Sequence, residues 1–205
     1  MQSKTGIHYT YEKRGAKTLC VMLSGTNYTY DKPLMYYGSM LMKEKNIDTV
    51  QVHYEYDDAF FTQATATITE RITADVSSVI DEVLEAGQYE RILFYGKSLG
   101  TLPLSYAYVT AQWDVEVAFI ILTPLLQFEG FTEGLLASDK PMFVVIGTED
   151  GHYRADHVKR LAQKTTLLEI PGANHSLEQR EPNVDVALQH LLDIQQRIQQ
   201  FMKEW

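Results

Sequence analysis

The sequence predicts an α/β protein with a mostly parallel, doubly wound central sheet and helices on both faces. Two observations support this. Six short apolar runs, rich in β-branched residues, each end at polar or turn-forming residues. Between them lie segments whose apolar residues recur three and four positions apart. Because no repeat, low-complexity tract or flexible linker divides the chain, a single domain over residues 1–205 is expected.

The six runs are nearly continuous in apolar residues, as is typical of strands covered on both faces of a parallel sheet. They span residues 18–23, 48–54, 91–95, 115–122, 141–146 and 166–170. The first stretch of the chain, residues 7–13, is predicted to be an edge strand or hairpin.

Helical spacing is clearest in residues 68–83, where Gly87 is expected to end the helix. Further helices are predicted over residues 35–45, 99–111 and 155–163. A long amphipathic helix is predicted near the C-terminus, with apolar positions at Val184, Leu188, Leu191, Ile198 and Phe201.

Composition excludes several classes of protein. Apolar residues make up 45 % of the chain and charged residues 22 %, which is typical of a globular protein. With 18 Lys and Arg against 27 Asp and Glu, the net charge of −9 disfavours binding to nucleic acid. Cys20 is the only cysteine, so neither an internal disulfide nor a Cys-rich zinc site is expected.

No signal peptide is recognised, and the longest apolar run, residues 115–126, is too short to span a bilayer. We therefore expect a cytoplasmic protein without a membrane partner, and its oligomeric state stays open.

The third run is followed by a G-x-S-x-G pattern, Gly96-Lys97-Ser98-Leu99-Gly100. Chance alone gives about 0.07 such matches in a chain of this length. Here the pattern lies between a strand predicted to be buried and a predicted helix. A strained turn in this position is known to expose a nucleophilic serine. Ser98 is therefore the candidate nucleophile.

A serine nucleophile needs a base, and the base needs an orienting carboxylate. Asp150 follows the fifth run and is the candidate carboxylate, with Glu149 as its rival. His175 follows the sixth run in a loop that contains Pro and Gly, and it is the candidate base. Among the other five histidines, His157 is the alternative.

Ser98, Asp150 and His175 occur in the chain order typical of α/β-hydrolases, each after a different strand. With the segments Gly147-Thr148-Glu149-Asp150 and Gly172-Ala173-Asn174-His175, the sequence resembles that superfamily from Thr18 to the C-terminal helix. The resemblance implies an α/β-hydrolase fold in which Ser98 attacks, His175 transfers the proton and Asp150 orients His175.

The resemblance also implies an oxyanion hole, with the backbone amide of Leu99 as one donor. The second donor comes from the loop after the first central strand, where the amide of Thr26 is favoured and that of Asn27 is next. Here the sequence has Ser24-Gly25 where many members of the superfamily have His-Gly. Because only residues 123–140 separate two predicted strands, we expect a minimal hydrolase without a cap domain.

Several residues are candidates to line the substrate pocket: Asn27, Tyr28, Lys97, Phe128, Phe131 and Tyr153. Lys97 is unusual at its position in the pattern. It is expected to be solvated or salt-bridged, with the alternative that its charge favours an acidic substrate or an acidic neighbour such as Asp57 or Asp58.

The sequence favours a serine hydrolase that acts on a small carboxylic ester or thioester. A non-catalytic binding or regulatory protein on the same fold is one alternative, and an acyltransferase or peptidase with the same triad is another. No cofactor is expected. His152, Asp156 and His157 lack the spacing of a recognised ligand set, so no metal is expected.

Overall fold

A computed structural model describes all residues, 1–205, and contains one seven-stranded sheet. The strands are β1 His8–Glu12, β2 Thr18–Leu23, β3 Asp48–His53, β4 Arg91–Lys97, β5 Glu116–Leu122, β6 Met142–Gly147 and β7 Thr166–Ile170. Their order is β1-β3-β2-β4-β5-β6-β7, and every neighbouring pair is parallel except β1 with β3. The predicted fold class is confirmed.

Five α-helices connect the strands: α1 Pro33–Glu44, α2 Thr65–Ala86, α3 Phe131–Ala137, α4 Ala155–Leu161 and α5 Val184–Glu204. Short 3₁₀-helices cover Phe60–Thr62 and Ser98–Thr101. No helix combines the length and the apolar character needed to cross a membrane.

The sheet separates two hydrophobic clusters because side chains alternate along each strand. In β2, Leu19, Val21 and Leu23 belong to the cluster that α2, α3 and α4 cover. Cys20 and Met22 belong to the cluster that α1 and α5 cover. Both faces of the central strands are therefore buried, which explains their continuous apolar runs.

The segment predicted as one helix over residues 99–111 is irregular. A 3₁₀-helix at Ser98–Thr101 is followed by a π-helical turn at Leu104–Tyr108, where the Val109 amide donates to the Leu104 carbonyl at 3.0 Å. Pro103 lies between the two and has no N–H for an α-helical hydrogen bond, which accounts for the break in regular helix.

The connection between β5 and β6 holds a single helix, α3, of seven residues. The expected absence of a cap domain at this position is confirmed. The carboxyl ends of the strands are thus left open at the edge where ligands bind in sheets of this kind.

Helix α5 differs from its predicted apolar face in its first turns. Val184 and Leu188 are 73 % and 56 % exposed, whereas Ile194, Ile198 and Phe201 are buried. Only the second half of the helix is therefore anchored by burial, and its start depends on local hydrogen bonds.

We expect Asn183→Ala to lower the free energy of unfolding by about 1 kcal/mol. The Asn183 side chain caps α5 by accepting from the Val186 amide at 3.1 Å, and alanine leaves that amide without this partner. Urea denaturation followed by circular dichroism measures the change. Asn183→Asp keeps the acceptor and serves as the control, and equal midpoints for the alanine variant and the wild type would contradict the prediction.

Candidate active site

Ser98 lies at the turn between β4 and the 3₁₀-helix that follows it. Its backbone φ is 52°, in the left-handed region that non-glycine residues rarely adopt. A Cβ at Gly96 would lie 2.9 Å from the Gly100 carbonyl oxygen, and one at Gly100 would lie 2.3 Å from the Leu23 carbonyl oxygen. The G-x-S-x-G spacing therefore reflects close backbone packing around a strained serine.

Three side chains that are distant in sequence form one hydrogen-bonded chain. The Nε2 atom of His175 lies 2.7 Å from the Oγ atom of Ser98, and its Nδ1 atom lies 2.7 Å from the Oδ2 atom of Asp150. With its proton on Nδ1, the imidazole donates to Asp150 and accepts from the Ser98 hydroxyl. This is the arrangement that activates a serine for nucleophilic attack.

The carboxylate of Asp150 is enclosed, with no side-chain surface exposed to solvent. Burial acts to raise its pKa, but hydrogen bonds from His175 and from the His152 amide outweigh burial, and the pKa lies below its ordinary value. Asp150 is therefore ionised at neutral pH and is hydrogen-bonded to His175. Glu149 is exposed, and the carboxylate that bonds His175 is that of Asp150.

The loops that carry Asp150 and His175 pack directly on each other. The Glu149 amide donates to the Ala173 carbonyl at 2.9 Å. Within the histidine loop, the Asn174 side chain accepts from the Ser176 amide at 2.8 Å. The first bond holds the loop after β7 against the end of β6, and the second is local to the loop that carries His175.

The loop after β2 also approaches Ser98. A Cβ at Gly25 would lie 2.9 Å from Ser98 Cβ and 3.5 Å from Ser98 Oγ. Thr26 is the next residue of this loop and is exposed. Leu99 is in the first turn of the 3₁₀-helix, where backbone amides have no partner within the helix.

The candidate pocket residues have different surroundings. Asn27 is exposed, with a φ of 55°. The half-buried Phe128 ring lies 6.3 Å from the His152 ring, and Tyr153 donates its hydroxyl to Glu169 at 2.7 Å. Phe131 is fully buried in the cluster below α3. The prediction that Phe131 lines an open pocket is wrong, because the start of α3 packs that ring inward.

Lys97 is also placed differently from the prediction. Its residue exposure is only 1 %, and it forms no salt bridge with Asp57 or Asp58. Its Nζ atom donates to Thr123 Oγ1 and to the His175 carbonyl, both at 3.2 Å, and lies 4.3 Å from the centre of the Tyr28 ring. Its position at the end of a central strand explains the burial, since loops from neighbouring strands cover it.

His152 is a site residue whose contacts the sequence did not reveal. Its ring lies 4.8 Å from the His175 ring, and its buried Nδ1 atom has no hydrogen-bond partner. Burial, followed by the charge of His175, lowers the pKa of His152. In the sequence, the feature that indicates its closeness to the site is its position two residues after Asp150.

Donor atoms of Asp150, His152 and His175 lie within 4.8 Å of one another, although Asp150 and His175 already bond each other. The alternative base, His157, instead bonds Thr132 Oγ1 at 2.9 Å.

Two surface grooves, of about 520 and 750 Å³, lie at the amino ends of the strands, on the edge opposite Ser98. A smaller cleft of about 90 Å³ lies beside the histidine loop, between Tyr28, Leu34 and α5. The site's position therefore follows from the side-chain geometry and not from cavity size.

No protein-family model matches the chain, and no curated protein matches it. Several solved structures do match the chain. Est1E from Butyrivibrio proteoclasticus aligns over 97 % of this chain and 93 % of its own, with a TM-score of 0.70 and 14 % identity. XC6422 from Xanthomonas campestris, described as an α/β serine hydrolase without lid, aligns over 100 % and 92 %, with a TM-score of 0.70 and 13 % identity.

A third structure, the esterase Pf2001 from Pyrococcus furiosus, aligns over 100 % of this chain and 90 % of its own, with a TM-score of 0.70 and 10 % identity. Similarity to solved structures at sequence identities this low supports a shared fold and nothing further. The strand order, the turn at Ser98 and these alignments agree, and the protein has the α/β-hydrolase fold without a cap domain.

Proposed function

We propose that the protein is a serine hydrolase that cleaves a small carboxylic ester or thioester through an acyl-enzyme on Ser98. The observation that carries the proposal is the hydrogen-bonded chain from Ser98 through His175 to Asp150, with both distances at 2.7 Å. The names of structural neighbours support the same reaction class, since Est1E has been solved with ferulic acid bound and Pf2001 is an esterase.

The first half of the reaction acylates the serine. Ser98 Oγ attacks the substrate carbonyl carbon while its proton passes to His175 Nε2. Asp150 stabilises the imidazolium that forms. His175 then gives the proton to the leaving alcohol or thiol as the bond to the acyl carbon breaks, which leaves an ester on Ser98.

The second half repeats these steps with water. His175 takes a proton from water, the resulting hydroxide attacks the acyl-enzyme, and the proton returns to Ser98 Oγ as the carboxylic acid departs. In both halves the amides of Leu99 and Thr26 are proposed to hold the oxyanion, because the turn at Ser98 and the approach of Gly25 bring these two backbone segments to the nucleophile. Donors of this kind contribute about 3 kcal/mol each.

Covalent labelling tests the proposal without knowledge of the substrate. We expect a fluorophosphonate to add once to the wild type, as measured by intact-mass spectrometry, and not to add to Ser98→Ala. Ser78→Ala is the matched control, because Ser78 lies on α2 and bonds Thr5 at 2.7 Å, away from the triad. The control should label like the wild type.

A folded wild-type protein that forms no adduct would overturn the proposal and favour a binding protein on the same fold. An adduct that persists on Ser98→Ala would place the nucleophile elsewhere. With Ser98 labelled, a panel of p-nitrophenyl esters and acyl thioesters identifies the acyl substrate, and added alcohols or amines as acceptors separate hydrolysis from acyl transfer.

A further inference from the structure

Lys97 is a buried cation directly beneath the proposed catalytic residues. It precedes Ser98 in the chain and is the last residue of β4, where it pairs in register with Leu122 of β5. Its side chain is buried, with only 1 % of the residue exposed to solvent.

The Lys97 ammonium joins three loops that come from different strands. It bonds the hydroxyl of Thr123, just after β5, and the backbone carbonyl of His175, after β7. The ring of Tyr28, in the loop after β2, lies over it at 4.3 Å. The loops that carry the base and the proposed oxyanion donor therefore meet at this one group.

Burying a lysine opposes its charged form. Burial has this effect on Lys97 and lowers its pKa to about 8. The nearby Asp150 carboxylate acts in the other direction, but burial outweighs it. An apolar side chain of the same length would fill this space without that penalty. Packing alone therefore gives no reason for a lysine at this position.

We propose that Lys97 is a positioning residue, which holds the His175 imidazole in line with Ser98 by binding the carbonyl of His175 and the hydroxyl of Thr123. The proposal rests on the proposed function. Lys97 touches neither substrate nor the reacting atoms, and it acts only by fixing the backbone of the residue that does.

Lys97→Met tests this role, because methionine keeps the length of the side chain and removes its donors and charge. We expect the rate of fluorophosphonate labelling to fall on the order of 10²-fold, the effect of a displaced catalytic group. The melting temperature should stay near that of the wild type, because relief of the buried charge offsets the two lost hydrogen bonds.

The matched control is Lys140→Met. Lys140 also donates to two backbone carbonyls, those of Val109 and Ala111, at 2.9 and 3.0 Å, but far from the triad. Its labelling rate should equal that of the wild type. An unchanged rate in Lys97→Met, or a loss no greater than its loss of folded protein, would overturn the proposal.

If Lys97→Met does not fold, Thr123→Val decides the question. It removes one acceptor of the ammonium and keeps both the lysine and the side-chain shape. We expect a smaller fall in labelling rate in the same direction, and an unchanged rate would count against the positioning role.

The pH profile separates positioning from packing. As pH rises through about 8, Lys97 loses its proton. Its bonds to the His175 carbonyl and to Thr123 then lose the charge that strengthens them, and its attraction to the Tyr28 ring is also lost. The labelling rate of the wild type should then fall, whereas the rate of Lys97→Met should show no fall in this pH range. The other titratable groups facing Lys97 are Asp150, His152, His175 and Tyr28, and burial raises the pKa of Tyr28 to about 12.

A proton NMR measurement keeps this inference distinct from the proposed function. The proton between His175 Nδ1 and Asp150 should give a far-downfield signal that is absent from His175→Ala and is broadened or lost in Lys97→Met. A wild type that shows this dependence but takes no fluorophosphonate would refute the hydrolase and leave the positioning role standing. A wild-type signal that is unaffected in Lys97→Met would refute the positioning role.

Discussion

Asp150→Asn should lower the rate of ester turnover, and of fluorophosphonate labelling, by about 10⁴-fold while leaving the protein folded. Stopped-flow or steady-state measurements with a p-nitrophenyl ester detect the loss, and near-ultraviolet circular dichroism checks the fold. Among the substitutions proposed here that leave Ser98 in place, this one has the largest expected effect on rate.

The reason lies in the two oxygens of Asp150. One accepts from the His152 amide at 2.8 Å and the other faces His175 Nδ1 at 2.7 Å. If asparagine keeps its oxygen on the His152 amide, its NH₂ group faces Nδ1. The imidazole must then carry its proton on Nε2 and present an N–H to Ser98 in place of a lone pair, so the general base is lost.

Glu149→Gln is the matched control, since it removes one negative charge from the adjacent residue. The Glu149 side chain is exposed, and its loop contact with Ala173 is made by the backbone amide, which the substitution keeps. Its activity should match the wild type. An equal loss in both variants would mean that net charge near the site, and not the orientation of His175, controls the rate.

The fold could be predicted because its strands are buried on both faces. Every predicted strand boundary lies within two residues of the structure, and β2 and β7 coincide with their predicted ranges. The predictions failed where local pattern does not determine structure. Pro103 interrupts the helix after Ser98, and tertiary packing leaves Val184 and Leu188 exposed on α5.

The proposed catalytic residues could be predicted for a related reason. Each of the three follows a strand, and the carboxyl ends of parallel strands meet at one edge of the sheet. The surroundings of Lys97 could not be predicted, because its partners Thr123, His175 and Tyr28 lie on separate loops whose approach depends on the whole sheet. Because lysine side chains are generally exposed, the sequence predicted a solvated or salt-bridged Lys97 and not a buried one.

Gly147→Ala should lower the free energy of unfolding by about 3 kcal/mol, because it overpacks the contact between β6 and the histidine loop. A Cβ at this position would lie 2.1 Å from the Ala173 carbonyl oxygen and 2.9 Å from that of Asn174. Both are backbone atoms and cannot rotate away, so the loop itself must move. For a chain of this size the melting temperature should fall by about 6–12 °C.

The same displacement should reach the proposed base, since His175 is the next residue after Asn174. We therefore expect the folded fraction of Gly147→Ala to label with fluorophosphonate on the order of 10²-fold more slowly than the wild type. Differential scanning calorimetry and timed labelling at a temperature where the variant is folded measure the two effects.

Gly151→Ala, in the loop that follows β6, provides the control, because a Cβ at Gly151 would meet nothing within 4 Å. Both variants add one methyl group to a glycine near Asp150, yet only one of them presses on the histidine loop. If Gly147→Ala melted and labelled like Gly151→Ala, the tight contact with Ala173 would not be what holds His175 in place. The bonds made by Lys97 and Asn174 would then be left as its main supports.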